Sequence, residues 1–275
     1  MKLSIYTFVR NGIYFDYHFK EMLKHHLPLA DEIIVNEGYS FDGSYEAITN
    51  IDSKIKVFRS HWEKVKDLSW YLSFKEEARS KCTGDWCILL DCDEFIPEWE
   101  FEGLRRYLEE TDASVIPVQA INFFGNYKVY HAHPEKINWP SISKRIHRNL
   151  KEVKIVHDGC NVELEGDKYN AGNLEAKFTY HHFGCVRNPA RLRQKWREIQ
   201  WIHHIGKKPR FHLPGFLYDF LPFNWKDPAF IPDLQIYNGP YIKAVRENTD
   251  EFVRDNFILY DYLKNKSQRS HKLED

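Results

Sequence analysis

Short apolar runs alternate with helical patterns over the first 95 residues, and this alternation restricts the fold more than any other feature of the chain. Four runs have the length and composition of strands: residues 2–9, 32–36, 55–59 and 86–89. Helical patterns lie between them: residues 13–27, 45–51 and 67–82. Strands and helices at this spacing form βαβ units. The sequence therefore predicts an α/β fold with a mainly parallel, Rossmann-like central sheet flanked by helices.

The fourth run ends in three carboxylates, those of Asp91, Asp93 and Glu94. Desolvating such groups at the end of a buried strand costs free energy unless a cation lies beside them. The carboxyl ends of parallel strands are also where α/β sheets bind ligands. The segment predicts a site for a divalent metal and a phosphate, and a solvated acidic turn is the alternative.

The composition argues against several functional classes. The 39 Lys and Arg residues balance 40 Asp and Glu residues, so the chain has no general field for nucleic acid or an anionic membrane. No apolar run approaches the ~20 residues of a transmembrane helix, and the N-terminus lacks a signal-peptide pattern. The five cysteines include no C-x-x-C pair, which favours buried thiols in a reducing compartment. We expect a cytoplasmic protein that does not bind nucleic acid.

Two segments resemble motifs of a known family. Residues 78–93, which include Gly84-Asp85 and end in Asp91-Cys92-Asp93, match the block N-x-A-x-x-x-A-x-G-D-Y-I-x-x-L-D-x-D. Residues 35–44 are similar to V-D-D-G-S-x-D-G-T with one inserted residue. On these motifs the chain resembles the family 2 glycosyltransferases, which have the GT-A fold. The resemblance covers roughly the first 100 residues and returns in places to about residue 200.

The resemblance implies an enzyme that moves a sugar from a nucleoside-diphosphate sugar, by default a UDP-sugar, to a hydroxyl of a saccharide or other acceptor, with inversion. Mn²⁺ or Mg²⁺ would neutralise the leaving diphosphate. Asp93 is then the expected metal ligand, and Asp91 is expected to hold the ribose hydroxyls or a metal-bound water. Val9 and Arg10 would line the base pocket.

Glu37 and Asp42 lie in the second of these motifs. The resemblance implies that Glu37 touches the base or the ribose and that Asp42 orders the loop. The alternative for both residues is ordinary capping of the loop by acidic side chains.

Two histidines and a basic run follow later in the chain. GT-A enzymes often add a histidine to the same metal, so the resemblance implies His182 as a ligand. His181 is the alternate ligand. Only one of the two histidines can reach the metal, because neighbouring residues on a strand face opposite ways. Histidines bonded to backbone are the other interpretation. Arg187 begins a basic run that binds an anion near a helix start or forms a solvated face. The run continues with Arg191, Arg193, Lys195 and Arg197.

The acceptor hydroxyl also needs a base. Residues 144–148 and 156–159 together resemble the R-L-F-R … V-H-E segment of bacterial family 2 enzymes that decorate saccharide cores, which implies Asp158 as the base with His157 beside it. Glu94 is a second candidate, which would orient the acceptor. The alternative is that Asp158 and Gly159 simply form a turn.

The predicted organisation is one domain over residues 1–206, followed by an appendage over 207–275 that packs on it. The domain comprises a nucleotide-sugar-binding half over 1–115 and an acceptor-binding half over 116–206. We expect irregular structure over 207–248 and a last helix over 249–266. Two other functions stay open. One is a non-catalytic carbohydrate- or nucleotide-binding scaffold, and the other is a haloacid-dehalogenase-type phosphohydrolase, which also places D-x-D after an apolar strand.

Overall fold

The structure is a computed structural model that describes residues 1–61, 68–133, 141–157, 159–167, 175–203, 215–227 and 233–274. The strands are β1 (Leu3–Val9), β2 (Glu32–Glu37), β3 (Ile55–Arg59), β4 (Trp86–Leu89), β5 (Glu94–Phe95), β6 (Val115–Phe124), β7 (Asn126–His131), β8 (Ile142–Arg148), β9 (Lys154–Val156), β10 (Asn161–Glu163), β11 (Phe178–Cys185) and β12 (Leu234–Ile236). The helices are α1 (Phe19–His26), α2 (Ser44–Thr49), α3 (Leu68–Arg79), α4 (Phe101–Glu110), α5 (Pro189–His203), α6 (Lys243–Glu247) and α7 (Ile258–Glu274).

Ten of these strands form one mixed sheet. Its first half consists of parallel strands in the order β3-β2-β1-β4. β8 pairs antiparallel with both β4 and β6, and β7 and β12 extend the sheet beyond β6. β11 runs parallel to β6 and antiparallel to the two-residue strand β5. Most strands run in the same direction, so the predicted α/β class with a mainly parallel sheet is confirmed.

Successive residues of the central strands enter different hydrophobic cores. Ile5 and Ile33 belong to the larger core, whereas Tyr6 and Ile34 belong to a smaller core with residues of α3 and β9. Because both faces of the sheet are covered, these strands are apolar along nearly their whole length. Polar side chains that serve a site are therefore concentrated at the strand ends.

Two predicted helices start later in the structure than in the prediction, and one observed helix in the first half of the chain was not predicted. α1 starts at Phe19 rather than at residue 13, because the preceding turns place Asp16 at φ +53°. The last helix starts at Ile258 rather than 249, since Asn256 and Phe257 have φ values of +49° and +61°. The carboxylate of Asp255 accepts the N–H groups of Phe257 and Leu259 there. α4 was not predicted.

The expectation of irregular structure over residues 207–248 is wrong for two described segments. β12 pairs antiparallel with β7 and forms an edge of the large sheet, and α6 follows it. Elements of three and five residues are too short to produce a periodic pattern in sequence. The division into a domain and an appendage at residue 206 stays a prediction. No described helix is both long and apolar enough to span a bilayer.

Candidate active site

The carboxyl ends of the parallel strands β1, β2 and β4 lie at one edge of the sheet. Val9 ends β1 with its side chain in the core, so it can line a pocket only through its backbone, and Arg10 beside it is exposed. The N–H of Asn11 donates to Ser40 Oγ at 2.7 Å, and Asn11 Oδ1 accepts the N–H of Phe41 at 3.1 Å. These bonds join the loop after β1 to the loop after β2.

Glu37 is fully buried at the end of β2, and both of its carboxylate oxygens accept hydrogen bonds. Oε1 accepts the N–H of Ser40 at 2.6 Å, while Oε2 accepts the N–H of Tyr39 at 3.1 Å and Arg59 Nε at 2.7 Å. The predicted contact of Glu37 with a base or ribose would require breaking these bonds. The arrangement favours the alternative, in which Glu37 orders the loop.

Asp42 also orders this loop. Its Oδ2 accepts the N–H of Tyr14 at 2.7 Å, and its Oδ1 accepts both the N–H and the hydroxyl of Ser44, the first residue of α2. The side chain thus connects the start of α2 to the segment after β1, in agreement with the ordering role expected for it.

Asp91, the first acidic residue after β4, is bound to a lysine of α3. Lys75 Nζ donates to Asp91 Oδ1 at 2.7 Å and to the carbonyl oxygen of Gly159 at 2.8 Å. Burial raises the pKa of Asp91, but Lys75 and Arg145 outweigh burial and lower it. The Asp91 side chain is 23 % exposed, whereas that of Lys75 is 1 % exposed. A ligand can reach Asp91 from solvent, while Lys75 fixes its position.

Glu94, expected as a second candidate that orients the acceptor, is buried and held by two hydrogen bonds, which disfavours that role. Its side chain is 2 % exposed, and Oε1 accepts Arg145 Nη2 at 2.6 Å. Oε2 accepts the N–H of Asp91 at 2.8 Å. Burial raises the pKa of Glu94 and Arg145 opposes that rise. With both oxygens occupied and no access from solvent, Glu94 stabilises the turn after β4.

Asp93 forms a buried ion pair with Arg187. Arg187 Nη2 donates to Asp93 Oδ2 at 2.7 Å, and its guanidinium carbon lies 4.0 Å from the centre of the Tyr17 ring. Lys195 Nζ lies 3.5 Å from the same Oδ2. Burial raises the pKa of Asp93, but Lys195, His182 and Arg187 outweigh it and hold the pKa well below its ordinary value. Arg187 was expected to bind a cofactor anion. Instead it is wholly buried on Asp93 and cannot contact a ligand directly.

The short strand β5 brings Asp93 beside His182. β5 pairs with β11 so that Glu94 lies opposite His182, and the N–H of Phe183 donates to the carbonyl oxygen of Asp93 at 2.9 Å. His182 Nε2 consequently lies 3.6 Å from Asp93 Oδ1. The two carboxylate oxygens of Asp93 thus have different neighbours. Oδ2 faces Arg187 and Lys195, and Oδ1 faces the imidazole of His182.

Asn122 on β6 determines which nitrogen of His182 carries the proton. His182 Nδ1 lies 2.8 Å from Asn122 Oδ1, which can only accept, so Nδ1 is the donor. Burial lowers the pKa of His182 to about 4, so the ring is neutral at pH 7. Nε2 then presents a lone pair toward the Oδ1 of Asp93 rather than a proton. Metal-binding histidines have this arrangement, in which the other ring nitrogen donates to an oxygen acceptor.

His181 lies on the opposite face of β11, which removes it as an alternate ligand of the same ion. Its ring packs against Phe123 and Trp99, and Nε2 lies 3.4 Å from the hydroxyl of Tyr237. Burial lowers the pKa of His181 to about 3. Its side chain belongs to this aromatic cluster.

Asp93 Oδ1 and His182 Nε2 fit a divalent cation. Two ligand atoms that each lie about 2.1 Å from one ion are about 3.0 Å apart when they subtend a right angle at the ion, and about 4.2 Å apart when they lie on opposite sides of it. The distance of 3.6 Å between Asp93 Oδ1 and His182 Nε2 lies between these two values. The described residues contain no group of three or more His, Cys, Asp or Glu side chains arranged for a metal. A hard cation here would therefore depend on ligand oxygens to complete its shell, as Mg²⁺ commonly does with substrate phosphates.

The predicted base, Asp158, lies outside the described residues. His157 before it has a φ of +58°, and its side chain is 66 % exposed, with Nε2 3.8 Å from Glu163 Oε1. Gly159 after it is the residue whose carbonyl oxygen binds Lys75. The side chain of His157 thus lies beside Glu163. No described contact connects it to the carboxylates at the end of β4.

Sequence reasoning did not identify four residues of this site as partners of its acidic and histidine side chains: Lys75, Asn122, Arg145 and Lys195. Lys195 was noted only as part of a basic run, and Arg145 only as part of a segment with a family resemblance. Lys75 and Asn122 carry no sequence signal, because a single polar residue in a helix or strand pattern does not indicate its partner.

Comparisons with known proteins place the chain among sugar transferases. A family model described as Glycosyl transferase family 2 matches residues 19–162, more than half of the chain. A search of curated proteins found no match.

Several solved structures are similar at low identity. S. aureus TarS 1-349 in complex with UDP-GlcNAc is 13 % identical, with 80 % of this chain and 70 % of that chain covered and a TM-score of 0.42. Glucosyl-3-phosphoglycerate synthase from Mycobacterium tuberculosis, with Mg²⁺ and UDP, is 16 % identical, with 44 % and 43 % covered and a TM-score of 0.32. The mannosyltransferase PcManGT from Pyrobaculum calidifontis, with GDP-Man and Mn²⁺, is 17 % identical, with 44 % and 36 % covered and a TM-score of 0.33.

Proposed function

The chain belongs to glycosyl transferase family 2, and from this premise we propose that it transfers a sugar from a nucleoside-diphosphate sugar to a hydroxyl of a saccharide or other acceptor. The family match agrees with the resemblance drawn from the motifs at residues 35–44 and 78–93, and with the GT-A type fold that it implies. UDP-sugars are the donors to test first, and inversion at the transferred carbon is the expected stereochemical outcome.

The observation that supports this proposal most is the position of Asp93 Oδ1 and His182 Nε2, 3.6 Å apart at the carboxyl end of the parallel strands. These two atoms would hold Mn²⁺ or Mg²⁺. When bound, such an ion supplies positive charge to the diphosphate that leaves as the glycosidic bond breaks. Arg187 keeps Asp93 ionised and directed toward this position, and Asn122 keeps His182 in the required tautomer.

The remaining roles follow from which side chains a ligand can reach. Asp91 is partly exposed and can accept the ribose hydroxyls through Oδ2, because Lys75 occupies Oδ1. The base pocket would be lined by the backbone of Val9 and by Arg10. Glu37 shapes this wall through the loop after β2 rather than by direct contact.

We assign the acceptor base to Asp158. A carboxylate is suited to accept the hydroxyl proton as the bond to the sugar forms. Support comes from its sequence neighbour Gly159, which Lys75 connects to Asp91 at the donor site. Glu94 is not retained in this role.

A thermal-shift screen of nucleoside diphosphates and nucleotide sugars, each with Mn²⁺ and with EDTA, tests the proposal. We expect one nucleotide to raise the melting temperature in the presence of Mn²⁺, and its sugar donor to be hydrolysed slowly without acceptor. His182→Ala should lose most of the Mn²⁺-dependent shift, whereas the exposed His133→Ala should retain it.

Two outcomes would favour the other functions. Absence of metal-dependent nucleotide binding would favour a non-catalytic scaffold. Rapid hydrolysis of phosphate esters that Asp91→Asn abolishes would indicate a phosphohydrolase.

A further inference from the structure

Among the described residues, four cationic side chains lie against the three carboxylates that follow β4. Lys75 binds Asp91, and the remaining three cations are Arg145, Arg187 and Lys195. Because four positive groups face three negative ones, this cluster carries one positive charge in excess before any metal binds. An anionic ligand would therefore be attracted to it by the protein itself.

Three of the four cations are fixed on their carboxylates. The side chains of Lys75, Arg145 and Arg187 are at most 2 % exposed, and each lies 2.6–2.7 Å from a carboxylate oxygen. Releasing Arg145 or Arg187 would leave a buried carboxylate without its main partner, and releasing Lys75 would separate a buried ammonium from Asp91; each costs several kcal/mol. A ligand at this edge of the sheet is unable to recruit these groups.

Lys195 differs from the other three cations both in its exposure and in its distance from a carboxylate oxygen. Its side chain is 20 % exposed, and its Nζ lies 3.5 Å from Asp93 Oδ2, at the limit of a hydrogen bond. Arg187 already binds that oxygen at 2.7 Å, so Asp93 stays paired when Lys195 turns away. The stem of Lys195 projects from α5, and Nζ lies 5.3 Å from the centre of the Tyr17 ring.

We propose that Lys195 binds the diphosphate of the nucleotide sugar directly, as a second positive group beside the metal. This inference rests on the proposed function, because it assigns a ligand to the same site. Lys195 then contributes to donor binding without metal, and it stabilises the negative charge that the diphosphate gains as the sugar leaves. The reaction otherwise proceeds as proposed, and Lys195 stays protonated throughout.

The test compares ligands that differ by one phosphate group. Calorimetry measures the affinity of the nucleoside diphosphate identified in the screen, and of the matching nucleoside monophosphate, with Mn²⁺ and with EDTA. The variants are Lys195→Met, Lys195→Gln and Lys195→Arg, with Arg197→Met as a control on the exposed face of the same helix. If no nucleotide binds, inorganic pyrophosphate and inorganic phosphate replace the pair. Thermal melts establish that each variant folds.

We expect Lys195→Met and Lys195→Gln to weaken diphosphate binding about tenfold, the effect of losing one charge-assisted hydrogen bond. Monophosphate binding should change less than about threefold by the same reasoning. Lys195→Arg should restore most of the affinity, and Arg197→Met should resemble the wild type. The inference is overturned if both variants bind the diphosphate normally. It is also overturned if they lose monophosphate and diphosphate affinity equally, since that would mean Lys195 acts only through Asp93.

The two proposals fail in different ways. Wild-type protein that binds no nucleotide contradicts the proposed function, whereas Lys195-dependent binding of pyrophosphate would still support a diphosphate contact. Wild-type protein that binds a nucleoside diphosphate independently of Lys195 supports the function and contradicts only this contact.

Discussion

Replacing Arg187 by methionine should destabilise the protein strongly, because it removes the main partner of a buried carboxylate. The side chains of Arg187 and Asp93 are 0 % and 2 % exposed, and Nη2 lies 2.7 Å from Oδ2. Methionine fills much of the same volume but has no charge. Of the described residues, Lys195 at 3.5 Å and the neutral His182 would then remain beside Asp93.

Truncating one partner of a buried ion pair typically costs about 3–5 kcal/mol. Because Lys195 stays close to Asp93, we expect Arg187→Met to lose about 3 kcal/mol of the free energy of unfolding. Asp93→Asn retains an acceptor for Arg187 but loses the charge, so we expect a loss of about 2 kcal/mol. The double variant removes both charges and should lose about 3 kcal/mol in total, which corresponds to a coupling of about 2 kcal/mol.

Urea unfolding followed by tryptophan fluorescence measures these losses, since the chain contains 8 tryptophans. Arg106→Met is the matched control. Its guanidinium lies 2.8 Å from Glu102, but both side chains are largely exposed. Exposed pairs contribute little, so this variant should unfold like the wild type.

The reasoning is refuted if Arg187→Met and Asp93→Asn each cost less than about 1 kcal/mol, or if their costs simply add. The expected result also affects how the site is tested. An Asp93 variant that loses activity would combine a missing metal ligand with a weakened fold. His182, with 22 % of its side chain exposed, is the cleaner position for testing metal binding.

Three further predictions concern separate parts of the molecule. Although burial raises it, hydrogen bonds to the carboxylate lower the pKa of Glu32 from 4.5 to about 2. Because the pKa of Glu32 is lower in the folded state than in the unfolded state, the ionised carboxylate contributes stability that is present above pH 5 and is lost toward pH 2. The free energy of unfolding of the wild type should thus exceed that of Glu32→Gln at pH 7, and the difference should shrink in acid; a difference independent of pH in urea titrations would contradict this. Asn122→Leu removes the acceptor of His182 Nδ1 and should weaken Mn²⁺ binding by about tenfold or more. Calorimetry with nucleoside diphosphate present measures this affinity, and an unchanged value would count against the assigned tautomer of His182. Asp158→Asn should reduce sugar transfer far more than donor binding, and equal losses in product assays and calorimetry would argue against a base.

The sequence determined the class of fold and the location of the site. The alternation of patterns predicted all four parallel strands, and two of them, Ile55–Arg59 and Trp86–Leu89, have the predicted bounds. The acidic residues after β4 also lie at the common edge of these strands. Both results depend on local information, because periodicity and a change from apolar to acidic residues are visible in a short window.

The tertiary structure decided what each acidic group does. Glu94 and Asp93 are neighbours in sequence, yet one is fixed by Arg145 from β8 and the other by Arg187 before α5. Their partners are 51 and 94 residues away in the chain. Only the packing of β5 against β11 brings His182 to Asp93 and directs His181 away from it. The pattern of one segment does not encode which distant side chain neutralises a charge, because the electrostatic energy depends on distances that exist only after the chain has folded.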